Sequence, residues 1–201
     1  ELCDAAGFPD KAGQYREQAK RLQAAVLSTF ALPNGMFRAS TGLSGQIDVW
    51  GTAFAVYIGA LPPDAERAAC DALAAAVRKG TIAWRGSIRH VPTDADFSPT
   101  SAWEKAYAAK NHYQNGAYWP TPTGWVCFAV AQVDTALARK LAGDYIQELR
   151  EGDFRKGAQF GSPWECMHPE DNHRQNPIYL TSVTAPLAAF RKITGLEQAQ
   201  K

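Results

Sequence analysis

The feature that most constrains the fold of this chain is a pattern that occurs three times: an amphipathic helix, an irregular loop and then an apolar helix. The amphipathic segments cover about residues 9–31, 62–79 and 137–149, where apolar side chains recur every three or four positions. The apolar segments cover about residues 49–57, 125–133 and 178–190. An amphipathic helix buries one face and an apolar helix is buried on all sides, so the pattern predicts an outer and an inner helical layer.

Strand patterns are weak in comparison. No stretch alternates cleanly between apolar and polar residues over six positions, and residues 86–91 are the one segment suited to a short strand or hairpin arm. A ring of amphipathic helices around a ring of apolar helices is the layout of an α/α toroid. We therefore predict an all-α fold, an (α/α)6 toroid or a large part of one, with residues 1–201 in a single domain. A further short helix is predicted for residues 100–109.

Charge and cysteine usage exclude several classes of function. The net charge is +1, which provides no strong field for nucleic acid or an anionic membrane, and no apolar run is long enough to span a bilayer. The four cysteines form no C-x-x-C pair, and His168, Asp171 and His173 do not complete a zinc ligand set. We predict no metal and no other cofactor. Cys70 and Cys127 lie in apolar helical patterns and are predicted to be buried free thiols.

Two loops concentrate aromatic side chains and amides. Residues 113–125 contain Tyr113, Gln114, Tyr118, Trp119 and Trp125, and residues 161–166 contain Trp164 and Glu165. Aromatic faces suit the C–H faces of a sugar ring, while amides and a carboxylate provide hydrogen-bond partners for its hydroxyl groups. The two loops therefore predict a carbohydrate site, with Glu165 as the carboxylate best suited to catalysis.

The same residues carry a family resemblance. The resemblance is carried first by Tyr113-Gln-Asn-Gly-Ala-Tyr-Trp with Pro122-Thr-Gly-Trp, and then by Pro163-Trp-Glu-Cys. The chain resembles the six-hairpin, (α/α)6-barrel glycoside hydrolases, and in particular the trehalase and α-glucosidase-like families. In that group the first segment opens an inner helix and the second carries the catalytic base. The resemblance implies the C-terminal half of such a barrel. It also implies inverting hydrolysis of a small α-glucoside or oligosaccharide, with Glu165 as general base.

The resemblance leaves the general acid without a clear position. Its family position would precede Glu1, and the chain starts at Glu1 rather than at Met. Asp48 is the one carboxylate in a mouth-forming loop that could substitute for it. The expected partners are a carbohydrate substrate and either the missing N-terminal half of the barrel or a second copy of the chain. No nucleic-acid or membrane partner is expected.

Each candidate residue also has a simpler structural interpretation. The predicted substrate-binding residues are Trp50, Arg89, His90, Tyr113, Gln114, Tyr118, Trp119, Trp125 and Trp164. The tryptophans could instead fill the core at helix entries, and Arg89 and His90 could make ordinary loop hydrogen bonds. Glu165 could be a solvated loop residue. Glu148 and Glu151 belong to the solvated face of an amphipathic helix.

Two further classes of function stay open. The first is a sugar-binding or structural module that keeps the aromatic groove but lacks one carboxyl group. The second is a sugar epimerase or polysaccharide lyase, because α/α toroids also carry those activities. An epimerase would require histidines on inner helices, whereas all four histidines lie outside the apolar runs. A lyase would require a basic patch for uronates, for which Arg89, His90, His112 and Tyr113 are the candidates.

Overall fold

The fold is a mixed α/β arrangement, shown by a computed structural model that describes residues 1–42, 45–95 and 107–199. These residues form seven helices: α1 (Leu2–Ala5), α2 (Pro9–Phe30), α3 (Val49–Tyr57), α4 (Pro63–Lys79), α5 (Thr123–Ala131), α6 (Thr135–Glu151) and α7 (Thr181–Ala199). They also form seven short strands: β1 (Phe37–Arg38), β2 (Ile47–Asp48), β3 (Ala83–Trp84), β4 (Ser87–Arg89), β5 (Tyr118–Trp119), β6 (Cys166–His168) and β7 (His173–Gln175). The predicted all-α (α/α)6 toroid is therefore wrong.

The strands build two antiparallel sheets. One pairs β1 with β2, and the other has five strands in the order β3-β4-β5-β6-β7. In the larger sheet Ile88 pairs with Trp119, Tyr118 with Met167, and Cys166 with Gln175. Each strand has only two or three residues, which is too short for an alternating pattern to be recognised. The sheet pairs the backbones of three segments that the sequence pattern predicts as irregular loops.

The longer helices agree with the periodicity, although α7 begins later than predicted. It starts at Thr181 rather than at residue 178. Ile178 has a φ of 58°, a left-handed conformation that a helix cannot continue through, and its N–H donates to the carbonyl of Gly161 at 3.0 Å. The helix predicted for residues 100–109 falls mostly outside the described residues, and its last three residues are not helical.

Helix α5 is the centre of the core. It packs against α3, α4, α6 and α7, and Val126, Cys127 and Val130 on it are fully buried. The apolar faces of α4 and α6 cover it, as predicted from their amphipathic patterns. At Gly124 an added Cβ would lie 2.7 Å from atoms of Pro186 and Ala189, so only glycine permits the close approach of α5 and α7.

Contacts between the sheets and the helices bring the irregular segments together. Strand β2 leads directly into α3, and the N–H of Val49 donates to the carbonyl of His90 at 2.9 Å. The hydroxyl of Thr123, at the start of α5, donates to the carbonyl of Gly86 at 2.7 Å. The starts of α3 and α5 are thereby fixed beside strand β4.

Candidate functional site

Four of the predicted substrate-binding residues form an aromatic cluster, which consists of Trp50, His90, Tyr113 and Trp119. The rings of Trp50 and His90 stack with centroids 3.8 Å apart. Trp119 meets Trp50 edge-on at 5.5 Å and Tyr113 at 5.0 Å. These residues come from three segments of the chain, since Tyr113 and Trp119 share one loop, and the fold brings the three segments together.

Local hydrogen bonds explain why these rings meet. Trp50 lies in the first turn of α3, and its indole N–H donates to the carbonyl of Ile88 at 3.3 Å. Trp119 lies opposite Ile88 on β5, and its indole N–H donates to the carbonyl of Tyr113 at 3.2 Å. Both indoles thus have a polar partner although their rings are packed.

Glu165 is buried beside an amide. Its exposed fraction is 4%, so the interpretation of a solvated loop residue is wrong. The side-chain amide of Asn176 donates to Oε2 of Glu165 at 2.5 Å. The backbone N–H of Glu165 donates to the carbonyls of Gln175 and Asn176 at 3.1 and 3.0 Å. A buried carboxylate requires a donor such as the Asn176 amide, because an unpaired charge in the interior is costly.

Tyr179 is a second neighbour of this carboxylate. The Glu165 carboxylate raises the pKa of Tyr179, because an adjacent negative charge disfavours the phenolate and accepts a hydrogen bond from the phenol. The N–H of Tyr179 donates to the carbonyl of Pro163 at 2.8 Å, which holds this loop against the one that carries Glu165. Glu165 therefore has two polar side chains from the segment before α7.

Sequence reasoning missed Asn176 and Tyr179. Residues 175–182 resemble the loop that leads to the substrate site in the glycoside hydrolases, and Asn176-Pro177 is a turn marker, but neither signal singles out these two side chains. In the structure Asn176 and Ile178 have φ values of 46° and 58°. The left-handed conformation is costly for a β-branched residue, and strained backbone of this kind gathers at functional sites.

Cys166 joins Glu165 to the aromatic cluster. It is fully buried and packs with Ala117 and Trp119, next to Trp50 and Tyr113. Burial, and then the charge of Glu165, raise the pKa of the Cys166 thiol to about 12, so the thiol stays protonated at neutral pH. Cys166 therefore has a packing function, and it places the Glu165 backbone at one edge of the cluster.

Asp48 lies at another edge of the cluster and caps a helix. It is the N-cap of α3, and its Oδ1 accepts a hydrogen bond from the N–H of Gly51 at 2.8 Å. The same oxygen is 3.9 Å from Nε2 of His90. Burial lowers the pKa of His90, and the nearby Asp48 carboxylate partly opposes this shift.

Arg89 and Tyr118 have surroundings different from the predicted ones. Arg89 is 2% exposed, and its guanidinium donates to the carbonyls of Gly116 at 2.8 Å and Val91 at 3.2 Å. It therefore holds buried backbone in place. Tyr118 is buried near the rings of Trp84, at 6.0 Å, and His168, at 5.6 Å. Neither side chain is part of the aromatic cluster.

The remaining three candidates are dispersed. Trp125 packs against Phe54 at 4.9 Å between α5 and α3, which agrees with the core-filling interpretation. Gln114 is exposed next to Tyr113. Trp164 lines a separate cavity together with Arg85 and Arg174.

Three histidines, His112 before β5 and His168 and His173 on β6 and β7, interact with one another or with neighbouring acidic residues. The rings of His112 and His173 stack at 4.1 Å, and His112 pairs with Asp171. His168 accepts a hydrogen bond at Nδ1 from the N–H of Glu170 at 3.3 Å. Within the described part of the chain, no three His, Cys, Asp or Glu side chains are arranged to hold a metal ion.

Comparison of the chain with protein-family models, with curated proteins and with solved structures gives no match. The resemblance to glycoside hydrolases therefore remains a prediction, and any functional proposal depends on the geometry of the site. Among the described residues, no helix combines the length and the apolar character needed to cross a membrane.

Proposed function

We propose that this protein binds a carbohydrate at the aromatic cluster and hydrolyses a glycosidic bond, with Glu165 as general base. The observation that carries the proposal is a buried carboxylate, held by the Asn176 amide, next to Cys166, which packs against the cluster. A stacked indole and imidazole with further indole and phenol rings packed against them can present apolar surface to a sugar ring. The resemblance of residues 113–125 and 163–166 to glycoside hydrolases supports the same reaction class.

The hydrogen bonds of Glu165 suit the function of a base. Asn176 donates to Oε2 and the Tyr179 phenol also donates to the carboxylate, so the proton of the attacking water would be accepted at a lone pair that these two donors leave unused. That water would add to the anomeric carbon, and the bond from this carbon to the leaving oxygen would break. In an inverting enzyme the two carboxyl groups stand roughly 6.5–9.5 Å apart, with the water between base and sugar.

Asp48 is the proposed acid within the described residues. Its Oδ1 accepts the cap hydrogen bond from Gly51, so the proton for the leaving oxygen would have to be carried by Oδ2. The neighbouring His90 has a pKa lowered by burial and is therefore neutral at pH 7, where it can exchange a hydrogen bond with a sugar hydroxyl. The proposed substrate is a small neutral α-glucoside or oligosaccharide.

The cap formed by Asp48 also favours a second candidate, a carbohydrate-binding protein without hydrolytic activity. A carboxylate that accepts a helix-cap hydrogen bond is stabilised as an acceptor, and a general acid must instead carry a proton. If Asp48 serves only as a cap, the aromatic cluster and Glu165 would bind a sugar without cleaving it. The two candidates predict the same binding and differ in turnover.

Glu165→Gln separates these candidates. We expect wild-type protein to hydrolyse trehalose, maltose or a nitrophenyl α-glucoside. The variant should lose roughly 10²–10⁴-fold in kcat, because the amide cannot accept the proton. Glu17→Gln, at an exposed position on α2, is the matched control and should have wild-type activity. Product anomers followed by NMR would report inversion.

The outcomes of this experiment are distinct. Turnover retained in Glu165→Gln would remove Glu165 as the base. Saturable sugar binding without turnover in wild-type protein would establish the second candidate. Absence of both binding and turnover would refute the carbohydrate assignment of the aromatic cluster.

A further inference from the structure

A cavity of about 270 Å³ lies on the other side of the Glu165 loop, and none of its lining residues belongs to the aromatic cluster. We call it the Arg85 cavity. The lining residues that matter for its chemistry are Arg85, Glu148, Glu151, Gln159, Trp164 and Arg174. Its size is near the lower end of small-molecule sites, which run from roughly 300 Å³ upwards, and it fits a ligand of about one sugar ring.

The charges on one side of the cavity are fixed by ion pairs. Arg85 Nε lies 2.6 Å from Oε2 of Glu148, which is 4% exposed, and a second ion pair joins Arg85 to Glu151. The hydroxyl of Ser162 donates to Oε1 of Glu148 at 3.0 Å. The prediction of Glu148 as a solvated residue is therefore wrong, and this side of the cavity is preorganised.

Arg174 and Gln159, which also line the cavity, have hydrogen-bonding groups to offer. The Arg174 guanidinium lies 5.4 Å from the ring centroid of Trp84, which fixes its plane. Its hydrogen bonds to described residues, to the carbonyls of His168 and His173, come from Nη1 alone. The N–H groups on Nε and Nη2 are thus left for a ligand. The exposed amide of Gln159 also makes no hydrogen bond within the described ranges.

Trp164 supplies an aromatic wall. An added Cβ at Gly161 would lie 2.3 Å from the Trp164 ring, so glycine at this position is what lets the indole lie against the main chain. The indole N–H makes no hydrogen bond to any described residue and can serve a ligand. An aromatic plane bordered by guanidinium and amide groups is a suitable surface for a sugar ring.

The charge balance decides between ligand classes. Two guanidinium groups and two carboxylates line the cavity, so its formal charge is zero. Such a site offers no net attraction to a phosphate or a uronate, while its donors and acceptors match hydroxyl groups. We propose that the Arg85 cavity is a second saccharide-binding site, which takes one neutral hexose unit. This proposal does not depend on hydrolysis at Glu165.

Titration of ¹⁵N-labelled protein with methyl α-D-glucoside tests the proposal, with the indole N–H of Trp164 as the local reporter. The Trp164 signal is assigned by its loss in Trp164→Phe, and we expect it to shift saturably in wild-type protein. Arg174→Gln should raise the Kd reported there roughly tenfold or more, because it removes donors that face the ligand. Gln159→Ala, at an exposed position, should raise it roughly threefold without disturbing the fold.

Arg21→Gln, on the exposed face of α2, is the matched control and should leave this Kd unchanged. Glucuronate and glucosamine should bind no more tightly than the neutral glycoside. A shift confined to the Trp50 and Trp119 indoles, or an unchanged Kd in both cavity variants, would overturn the proposal. Tighter binding of glucuronate would show an anion site instead.

Failure of the proposed function gives a different result. A Glu165→Gln protein, or a wild-type protein without turnover, should still show the saturable shift at Trp164 if the Arg85 cavity binds sugar. Hydrolysis without any shift at Trp164 would instead remove this second site and leave the proposed function in place.

Discussion

At the scale of single residues, the orientation of the Glu165 carboxylate depends on Asn176. The Asn176 amide holds one oxygen of this buried carboxylate, and a fixed orientation is what the proposed base needs. Asn176 reaches this position through a left-handed backbone conformation, which Asn tolerates better than most residues. The left-handed backbone at Asn176 therefore positions the amide that orients the Glu165 carboxylate.

Removal of this amide should reduce kcat more than it changes KM. Asn176→Gly deletes the donor and also suits the positive φ, so we expect a loss of roughly 10- to 100-fold in kcat and a loss of about 1–3 kcal/mol in unfolding free energy, because the buried carboxylate loses a partner. Asn172→Gly is the matched control, because Asn172 has a similar φ of 52° and is exposed. Steady-state kinetics and thermal melting of both variants check this. Equal kcat values in the two would show that Asn176 does not position the base.

At the scale of elements, the helices and one strand could be predicted from the sequence: residues 86–91, the segment suited to a short strand or hairpin arm, contain β4, whereas the other strands were not predicted. The helices α2, α4 and α6 follow their apolar periodicity, and α3 and α5 are continuous apolar runs, so the signal for each helix lies within the segment itself. Strands β3 to β7 have two or three residues, and their pairing depends on partners as distant as Tyr118 and Met167. Tertiary pairing of this kind leaves no local pattern, and that is why the all-α prediction fails.

The hairpin of β3 and β4 depends on Gly86 for its contact with α6. Gly86 has a φ of 78°, and an added Cβ would lie 2.3 Å from the backbone nitrogen of Tyr145. Gly7 has the same φ, and an added Cβ there would meet nothing within 4 Å. Gly86→Ala should therefore cost about 2–4 kcal/mol of unfolding free energy and Gly7→Ala only about 1 kcal/mol.

Urea denaturation of the two glycine variants measures the difference between them. Because both glycines have the same φ, the conformational cost of alanine is the same in both variants. The additional loss of unfolding free energy in Gly86→Ala therefore reports the contact with α6. Equal losses in both variants would show that the hairpin does not press against α6.

At the scale of the whole molecule, the candidate site was predicted in part. The aromatic cluster of Trp50, His90, Tyr113 and Trp119 does form. It could be predicted because aromatic residues beside turn signals indicate a cluster of loops. Arg89 makes the loop hydrogen bonds of its simpler interpretation, and nothing in the sequence indicates that it is also buried. Asn176 and Tyr179 were missed because their closeness to Glu165 is a tertiary contact.

Three histidines make the stability of the whole molecule dependent on pH. Burial is the largest cause of a lowered pKa at His90, His168 and His173. A histidine whose folded-state pKa is below its unfolded value of about 6.5 binds a proton more readily after unfolding. The stability is therefore complete above about pH 6.5 and falls as the pH drops through the folded-state values.

Denaturant midpoints between pH 7.5 and 5.5 should accordingly decrease with acidification. The carboxylates with lowered pKa values, such as Asp153 at about 2, respond only below about pH 4, so this window isolates the histidines. His90→Gln should flatten the dependence. A midpoint independent of pH across the window would contradict the burial of these rings.

The register between β6 and β7 has a consequence for how this protein can change. Glu165 and Trp164 are neighbours in the chain, yet the Glu165 carboxylate accepts a hydrogen bond from Asn176 and the Trp164 indole lines the Arg85 cavity. A slip of one residue in a strand turns every side chain to the opposite face. A residue inserted between Glu165 and Cys166 would therefore move the carboxylate to the present position of Trp164, towards Arg174. The number of residues between Trp164 and β6, more than their identity, must therefore be preserved.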